Sequence, residues 1–405
     1  MNKVLPAQDL RNLILNGTII TPNSHLSNNS HAATAGSNAT IGSEVTAGST
    51  VSQPASIDLS LGAVAYRLQA SFLPQNITVQ KGIDDLKMYE LPLADGAILE
   101  RGAIYIIPLQ EELRLTDNLS GRTNPKSSIG RLDIFVRVIT DYSSRFEEIV
   151  PGYSGKLYLE VAPRSFTVRV KAGQKLNQLR LFKDCEKNEI DIKTDRTMSR
   201  YIGKTGLQKL NDQHSLLYEG DNPISLDDKY FAEDGLYMRV SLNGDTNNED
   251  IVGYKSKRNS QILDLEKVSH YKINDFWEPL YARDDRKLIL EPEEFYIFAS
   301  KEKIRIPLEY AAEMVEYESG SGELRTHYAG FFDPGFGYGL HGEILGSKAV
   351  LEVRPHDVPF IIFDSQVLFK MKYEYMLSLP EISYGSSIGS HYQNQGLTLS
   401  KHFSD

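Results

Sequence analysis

Cysteine is nearly absent from this 405-residue chain, with Cys185 standing alone. A single thiol excludes an intramolecular disulfide, which suits a reducing compartment. It also excludes a Cys-rich zinc site or an iron–sulfur cluster built by one chain. Long apolar runs are missing too. No stretch reaches the ~18 uncharged apolar residues that a membrane span requires. The leading segment MNKVLPAQDLRNLILNG lacks the charged lead, apolar block and small-residue cleavage site of a secretory signal. The expectation is a cytoplasmic protein with no membrane partner. Positive charge is in deficit, 44 Lys and Arg against 54 Asp and Glu, for a net of −10. Phosphate-backbone binding wants a net basic face, so nucleic acid is a poor partner, whereas a small anion in a locally basic pocket is not. With 40% hydrophobic and 24% charged residues, the chain has enough apolar surface for a sizeable core.

What is present is mostly strand. Short segments rich in Val, Ile, Tyr and Phe (AIYIIPL, IFVRVIT, KLYLEV, SFTVRV, FYIFAS, KAVLEV, PFIIFD) alternate with Gly, Pro, Asn and Asp turns. That pattern predicts an all-β sandwich or barrel. Residues 3–17 read as a short amphipathic helix stopped at Gly17. Residues 24–53 are rich in Asn, Ser, Thr, Ala and Gly and read as a flexible insertion.

The chain also repeats itself. LERGAIYIIPLQEELRL (99–115) lies over LEPEEFYIFASKEKIRI (290–306) with six of seventeen positions identical. PGYSGKLYLEV (151–161) answers PGFGYG with GSKAVLEV (334–339 and 346–353), and SIDLSLG (56–62) answers MRVSLNG (238–244). Three blocks in one order predict a duplication, with β-domains over 1–200 and 201–405.

Four segments carry candidate chemistry. In PKSSIGR (125–131), Ser127 and Ser128 sit between Lys126 and Arg131 beside Gly130. Cations, hydroxyl donors and a small residue are what a polyphosphate needs, though the same letters also spell a solvated turn. In AGFFDPGFG (329–337), Asp333 before Pro-Gly reads as a tight hairpin tip, either simply a β-turn or one whose exposed backbone reads a base edge with Phe336 covering a sugar. Glu160 and Glu352 occupy equivalent places inside apolar strands, LYLEV and AVLEV. Partial burial would raise such a carboxyl toward the range of proton transfer, while the plainer reading is the outward position of an alternating strand. The terminal SHYQNQGLTLSKHF (390–403) is either a tail or a segment that orders over bound ligand.

Together these blocks resemble the dCTP deaminases of the dUTPase-like superfamily, in the long bacterial form with a duplicated domain. The matching pieces are QPASIDLSLG (53–62), SSIGR (127–131), FDPGFG (332–337), SKAVLEVR (347–354), HDVPFIIFDSQ (356–366) and HYQNQG (391–396). The resemblance implies two tandem distorted jelly-roll β-barrels, oligomerisation, and nucleotide sites between barrels. It implies roles for Ser127 and Arg131 from one barrel, and for Asp333, the Ala329 carbonyl and the proton-shuttling Glu352 from its neighbour. Lys126, Ser128 and Phe336 join the substrate side, and Tyr392 and Gln395 the closing tail, whose spacing is one residue short of the family's. dCTP as substrate, dTTP as feedback inhibitor and Mg²⁺ carried on the triphosphate follow by likeness.

The copies have diverged. Aligning LEYAAE with KSSIGR puts Glu309 at Ser127 and Glu313 at Arg131, and repeat 1 has Val150 where repeat 2 has Asp333. The expectation is a composite site, phosphate side from repeat 1 and base side from repeat 2. Its rival uses repeat 1 alone with Glu160. Zinc deaminases need paired cysteines beside an H-x-E motif; His341-Gly342-Glu343 has the spelling but not the cysteines, so a metal-free, glutamate-assisted deamination of dCTP to dUTP and ammonia is expected. A dUTP diphosphatase, a bifunctional deaminase releasing dUMP, and a non-catalytic nucleotide-binding protein are the alternatives.

Overall fold

The computed structural model describes residues 2–22, 53–185, 200–232, 234–244, 250–316, 324–326, 330–385 and 395–404. The 24–53 insertion therefore lies almost wholly outside the described residues. The first half pairs Asn2–Val4, Lys175–Asp184, Leu119–Pro125 and Glu148–Ile149 in one sheet, with Ile57–Ser60 also on Lys175–Asp184. Its second sheet runs Lys87–Pro92, Val64–Leu68, Ile104–Arg114, Ser154–Pro163, Ile134–Ile139, and Ile19–Ile20 adds to Ile104–Arg114. Alternate residues of both sheets, such as Leu179 and Leu181 from one and Tyr105 and Leu159 from the other, meet in one core. The all-β expectation holds, and the N-terminal helix spans Ala7–Leu15 after a short strand.

The second half repeats this wiring. Tyr296–Ile304 takes the place of Ile104–Arg114, and Ser347–Pro355 that of Ser154–Pro163. A second helix, Lys204–His214, matches the first. Two of the identical letters now have a cause. Tyr105 Oη accepts from the backbone of Glu100 (3.1 Å), and Tyr296 Oη accepts from that of Glu291 (2.8 Å). Glu111 and Glu302, both buried, accept from the backbone N–H of Ser60 and Arg239 at 2.8 and 3.0 Å. Each polar side chain satisfies a donor that would otherwise be buried unpaired.

Those contacts correct two sequence alignments. Ser60 corresponds to Arg239, so IDLSL (57–61) answers LYMRV (236–240), three residues from the expected register. Arg122 lies opposite Glu148 and Arg180, while Glu313 lies opposite Phe331 and Lys372 in the matching sheet. Glu313 is thus the counterpart of Arg122, not of Arg131, and Glu309 does not stand at Ser127. The same register carries 127–131 onto 318–322, outside the described residues. Glu352 does match Glu160, since Ile297 and Ile106 face them on equivalent strands.

The halves share their interior. Leu263–Asp264 of the second half adds in parallel to Val168–Val170 of the first, and Arg169 pairs with Asp264 at 2.9 Å. Phe166 meets Phe276 and Trp277 edge-on, with centroids 5.5 and 5.4 Å apart, and Phe403 packs on both of those partners. The 395–404 segment docks rather than trailing: Phe403–Ser404 pairs with Tyr271–Lys272. The Ser400 hydroxyl lies 2.7 Å from the Ser128 carbonyl and 2.8 Å from His402 Nδ1. Among the described residues, no helix is long and apolar enough to cross a membrane.

Two outcomes follow from this packing. Phe166→Ala should destabilise by about 3–5 kcal/mol in a single transition, followed both by calorimetry and by the fluorescence of Trp277, the only tryptophan. Two separate transitions, with only one displaced, would contradict a shared core. His402 is 1% exposed, and burial, aided by Lys401, pushes its pKa down to about 4 against the opposing hydrogen bond to Leu265. Its folded pKa lies below the unfolded one, so it binds fewer protons when folded. Stability is full above pH ~6.5 and falls as pH drops toward 4, by roughly 3 kcal/mol for this group. Urea melts across that range should show this loss in the natural protein but not in His402→Gln.

Candidate active site

Pro125 ends the strand Leu119–Pro125, and the chain turns into one helical turn, Ser127–Gly130. Lys126 starts that turn: its carbonyl accepts from Ile129 N (2.7 Å) and Gly130 N (3.0 Å). Ile129 anchors the turn in the first core, which leaves Ser127 exposed and Ser128 buried. Lys126 Nζ reaches Asp58 Oδ2 at 2.5 Å. The cation that opens the turn is thereby tied to a carboxylate from the SIDLSLG block.

Glu352 comes from the middle of Ser347–Pro355. Ala349, Leu351 and Val353 point into the second core, whereas Val350 joins the first. Residues on the Val350 face therefore look out of one barrel and into its neighbour. Glu352 is on that face, 5% exposed. A Cβ built on Gly130 would lie 2.6 Å from Glu352 Oε2 and 3.0 Å from Oε1, so the missing side chain at Gly130 is what lets the carboxylate reach the turn. Burial raises the Glu352 pKa well above the ordinary value, with Arg131 opposing and Asp133 adding to the rise.

Arg131 is 3% exposed and held by the tail: Nη1 donates to the Thr398 carbonyl at 2.9 Å and Nη2 to Gln395 Oε1 at 2.8 Å. Gln395 in turn donates through Nε2 to the Lys348 carbonyl (3.0 Å) and through its backbone to Ser347 Oγ (3.2 Å). A cavity of about 200 Å³ adjoins this junction, bordered by Lys303, Gly346, Ser347, Lys348 and Gln395. Asp333 sits at the hairpin tip, where Gly335 adopts φ +94°. Arg180, fully buried, crosses from the first repeat to donate to Asp333 Oδ1 (3.1 Å), to Glu374 (2.9 Å) and to the Phe332 carbonyl (3.3 Å). Burial raises the Asp333 pKa, Arg180 opposes it, and Asp58 and Lys126 are near enough to act on it as well.

The predicted residues thus divide. Ser127, Ser128, Arg131, Glu352 and Gln395 gather around the turn; Lys126 pairs with Asp58 and Asp333 with Arg180, and Asp58 and Lys126 lie near enough to act on Asp333. Ala329 and Tyr392 lie outside the described residues. Phe336 is 4% exposed and packs edge-on against Phe332 (4.9 Å) in the second core, so its ring steadies the hairpin rather than facing open space. Glu160 is elsewhere: Arg137 and Ser71 of its own repeat hydrogen-bond its carboxylate. Glu343 caps the backbone of Leu340 (3.1 Å) and His341 (2.7 Å) in an exposed turn, which accounts for the H-x-E spelling.

Sequence reasoning passed over Asp58, Asp133, Arg180 and Arg354. Arg354 Nη2 bonds Asp133 Oδ2 in a fully buried contact between the repeats. The available signal was spacing, since Asp133 and Arg354 each stand two residues beyond a residue already singled out.

Comparison with known proteins agrees with the duplicated fold. The family model for the 2′-deoxycytidine 5′-triphosphate deaminase N-terminal domain matches residues 24–185, and that for the C-terminal domain matches 203–403. The dUMP-forming dCTP deaminase of Salinispora tropica is 31% identical over 156 residues, 38% of this chain and 78% of that protein. The Mycobacterium tuberculosis protein of the same name is 31% identical over 157 residues, 38% of this chain and 78% of its own length. The crystal structure of 2′-deoxycytidine 5′-triphosphate deaminase from Agrobacterium tumefaciens superposes with a TM-score of 0.76 at 36% identity, over 93% of this chain and 99% of that one. Two dUTPase-like β repeats, both halves matched and the motif residues gathered between them, make the chain a member of the dCTP deaminase family of enzymes.

Proposed function

We propose that this chain deaminates dCTP to dUTP and ammonia at a site shared by its two repeats. The observation that carries the reading is the Glu352 carboxylate of repeat 2 lying against Gly130 in the SSIGR turn of repeat 1. Water attacks C4 of cytosine, forming the C4–O bond, while Glu352 takes its proton. Glu352 returns that proton to N3, then carries the proton of the new C4 hydroxyl to the amino group, so that C4=O forms as the C4–N4 bond breaks and ammonia leaves. The raised pKa of Glu352 suits a group that must both accept and give protons near neutrality. Ser127 and the Ala329 carbonyl position the water, which lowers the entropic cost of attack. Arg131, a permanent cation, offsets charge at the tetrahedral centre.

Lys126 and Ser128 receive the triphosphate, which carries Mg²⁺ as part of the substrate. Lys126 acts there as a point charge rather than a fork. The Asp333 hairpin, steadied by Phe336, packs against the sugar and reads the base, and Tyr392 and Gln395 close the tail over the ligand. By family likeness, dTTP would compete as feedback inhibitor, in a cytoplasmic homo-oligomer. A second reading has support in the names of the relatives: a bifunctional enzyme would carry the product on to dUMP.

Incubation with dCTP and Mg²⁺ discriminates these readings. Ammonia and dUTP without pyrophosphate is the expected result; ammonia with dUMP and pyrophosphate favours the bifunctional enzyme, and no turnover removes both. Glu352→Gln should lower kcat by about 10²–10⁴-fold, while Glu160→Gln breaks a buried tie inside its own repeat, so it should cost stability but leave kcat little changed at equal folded fraction. Equal losses, or a loss confined to Glu160→Gln, would defeat the shared site.

A further inference from the structure

We propose that the buried Asp133–Arg354 pair is a positioning pair for Glu352, setting how far the carboxylate-bearing strand stands from the Ser127–Gly130 turn. The proposal rests on the reading of Glu352 as proton carrier. Asp133 follows Arg131 by two residues and Arg354 follows Glu352 by two, so one contact ties together the two segments that carry the chemistry. Asp133 is 0% exposed and Arg354 5%. Arg354 Nη2 donates to Asp133 Oδ2 and to Ser165 Oγ (3.1 Å), and the Ser165 hydroxyl donates to Asp133 Oδ2 at 2.6 Å. Ser256 of the second half lies 3.1 Å from Ser165. Arg354 Nη1 donates to the Glu293 carbonyl, and Arg164 holds the Glu293 side chain at 3.1 Å. Five residues from both repeats thus brace one guanidinium.

Bracing of this kind fixes register more than it adds stability, because desolvating two charges cancels much of their attraction. Position is what matters here. Gly130 leaves just enough room for the carboxylate, and a strand displaced by an ångström would take Glu352 off the turn. The pair also acts electrostatically. Among the described residues, the charged groups acting on Glu352 are Arg131 from the turn and Asp133 beyond it. Ile297, opposite on the neighbouring strand, is apolar, and the tail meets Arg131 through Gln395 and Thr398, both uncharged. The anionic Asp133 adds to the rise of the Glu352 pKa.

The test is the pH dependence of kcat for dCTP deamination in Asp133→Asn, measured well below its Tm. Removing this anion favours ionised Glu352, so the acidic limb should move down by about 0.5–1 pH unit. Plateau kcat should fall about tenfold, with KM changed less than about threefold. Asp133→Glu keeps the charge but moves it, and should lose kcat while leaving the limb at its natural pH. An Asp133→Asn enzyme with lowered Tm but natural kcat and limb would overturn the proposal and leave a merely structural pair. Should that variant not fold, Arg354→Lys, which keeps the charge and loses the fork, decides: natural kcat overturns the proposal and a lowered one supports it. Full activity in Glu352→Gln would instead remove the proton-carrier reading itself, so the two failures are separable.

Discussion

Burial of the outer face of Ser347–Pro355 against the neighbouring repeat is the constraint on which the rest of this molecule depends. One face of the strand completes its own barrel; the other supplies Val350, Glu352 and Arg354 to the first repeat. A carboxylate and a guanidinium carried into that junction must each find partners, since an unpaired buried charge is costly. Arg354 finds Asp133, Ser165 and the Glu293 carbonyl. Glu352 meets Gly130 and the nearby Arg131 instead, and its raised pKa is the result of that incomplete compensation. The same junction therefore holds one hydrogen-bonded ion pair and one buried carboxyl whose pKa is raised.

The duplication explains why the two glutamates differ. Glu160 and Glu352 share a register, yet Glu160 is covered by its own repeat, where Arg137 and Ser71 hold it. With the first barrel closing over its own glutamate and the second lending its glutamate to a neighbour, each copy was free to change what the other supplied. Val150 in place of Asp333 fits that history, since Asp333 owes its setting to Arg180 from the opposite repeat. Arg180 in turn matches Lys372, which pairs inside its own repeat with Asp234. At these two pairs of positions one copy forms an internal tie and the other a bridge.

The C-terminal segment belongs to the same junction. Leu399 and Phe403 sit in the first core although they end the second repeat, and Gln395 and Thr398 hold Arg131. Burying apolar side chains gives the segment a fixed seat, and its polar atoms are then placed over the turn at little added entropic cost.

The sequence by itself determined the strand-rich repeats, the helical start, and the residue types at the turn, the hairpin and the glutamate, because alternation and turn chemistry are local properties. It misplaced 308–313 against the turn and 238–244 against 56–62, since short β segments match in several registers and only cross-strand partners such as Glu111–Ser60 and Glu302–Arg239 select one. It also offered Glu352 as either a buried acid or an outward-facing strand residue, and both descriptions hold. Period-two alternation fixes which way a side chain points from its strand, but what covers that face is a long-range matter. Only the docking of the second barrel on the first decided that Glu352 meets Gly130, Glu160 meets Arg137, and Asp133 meets Arg354.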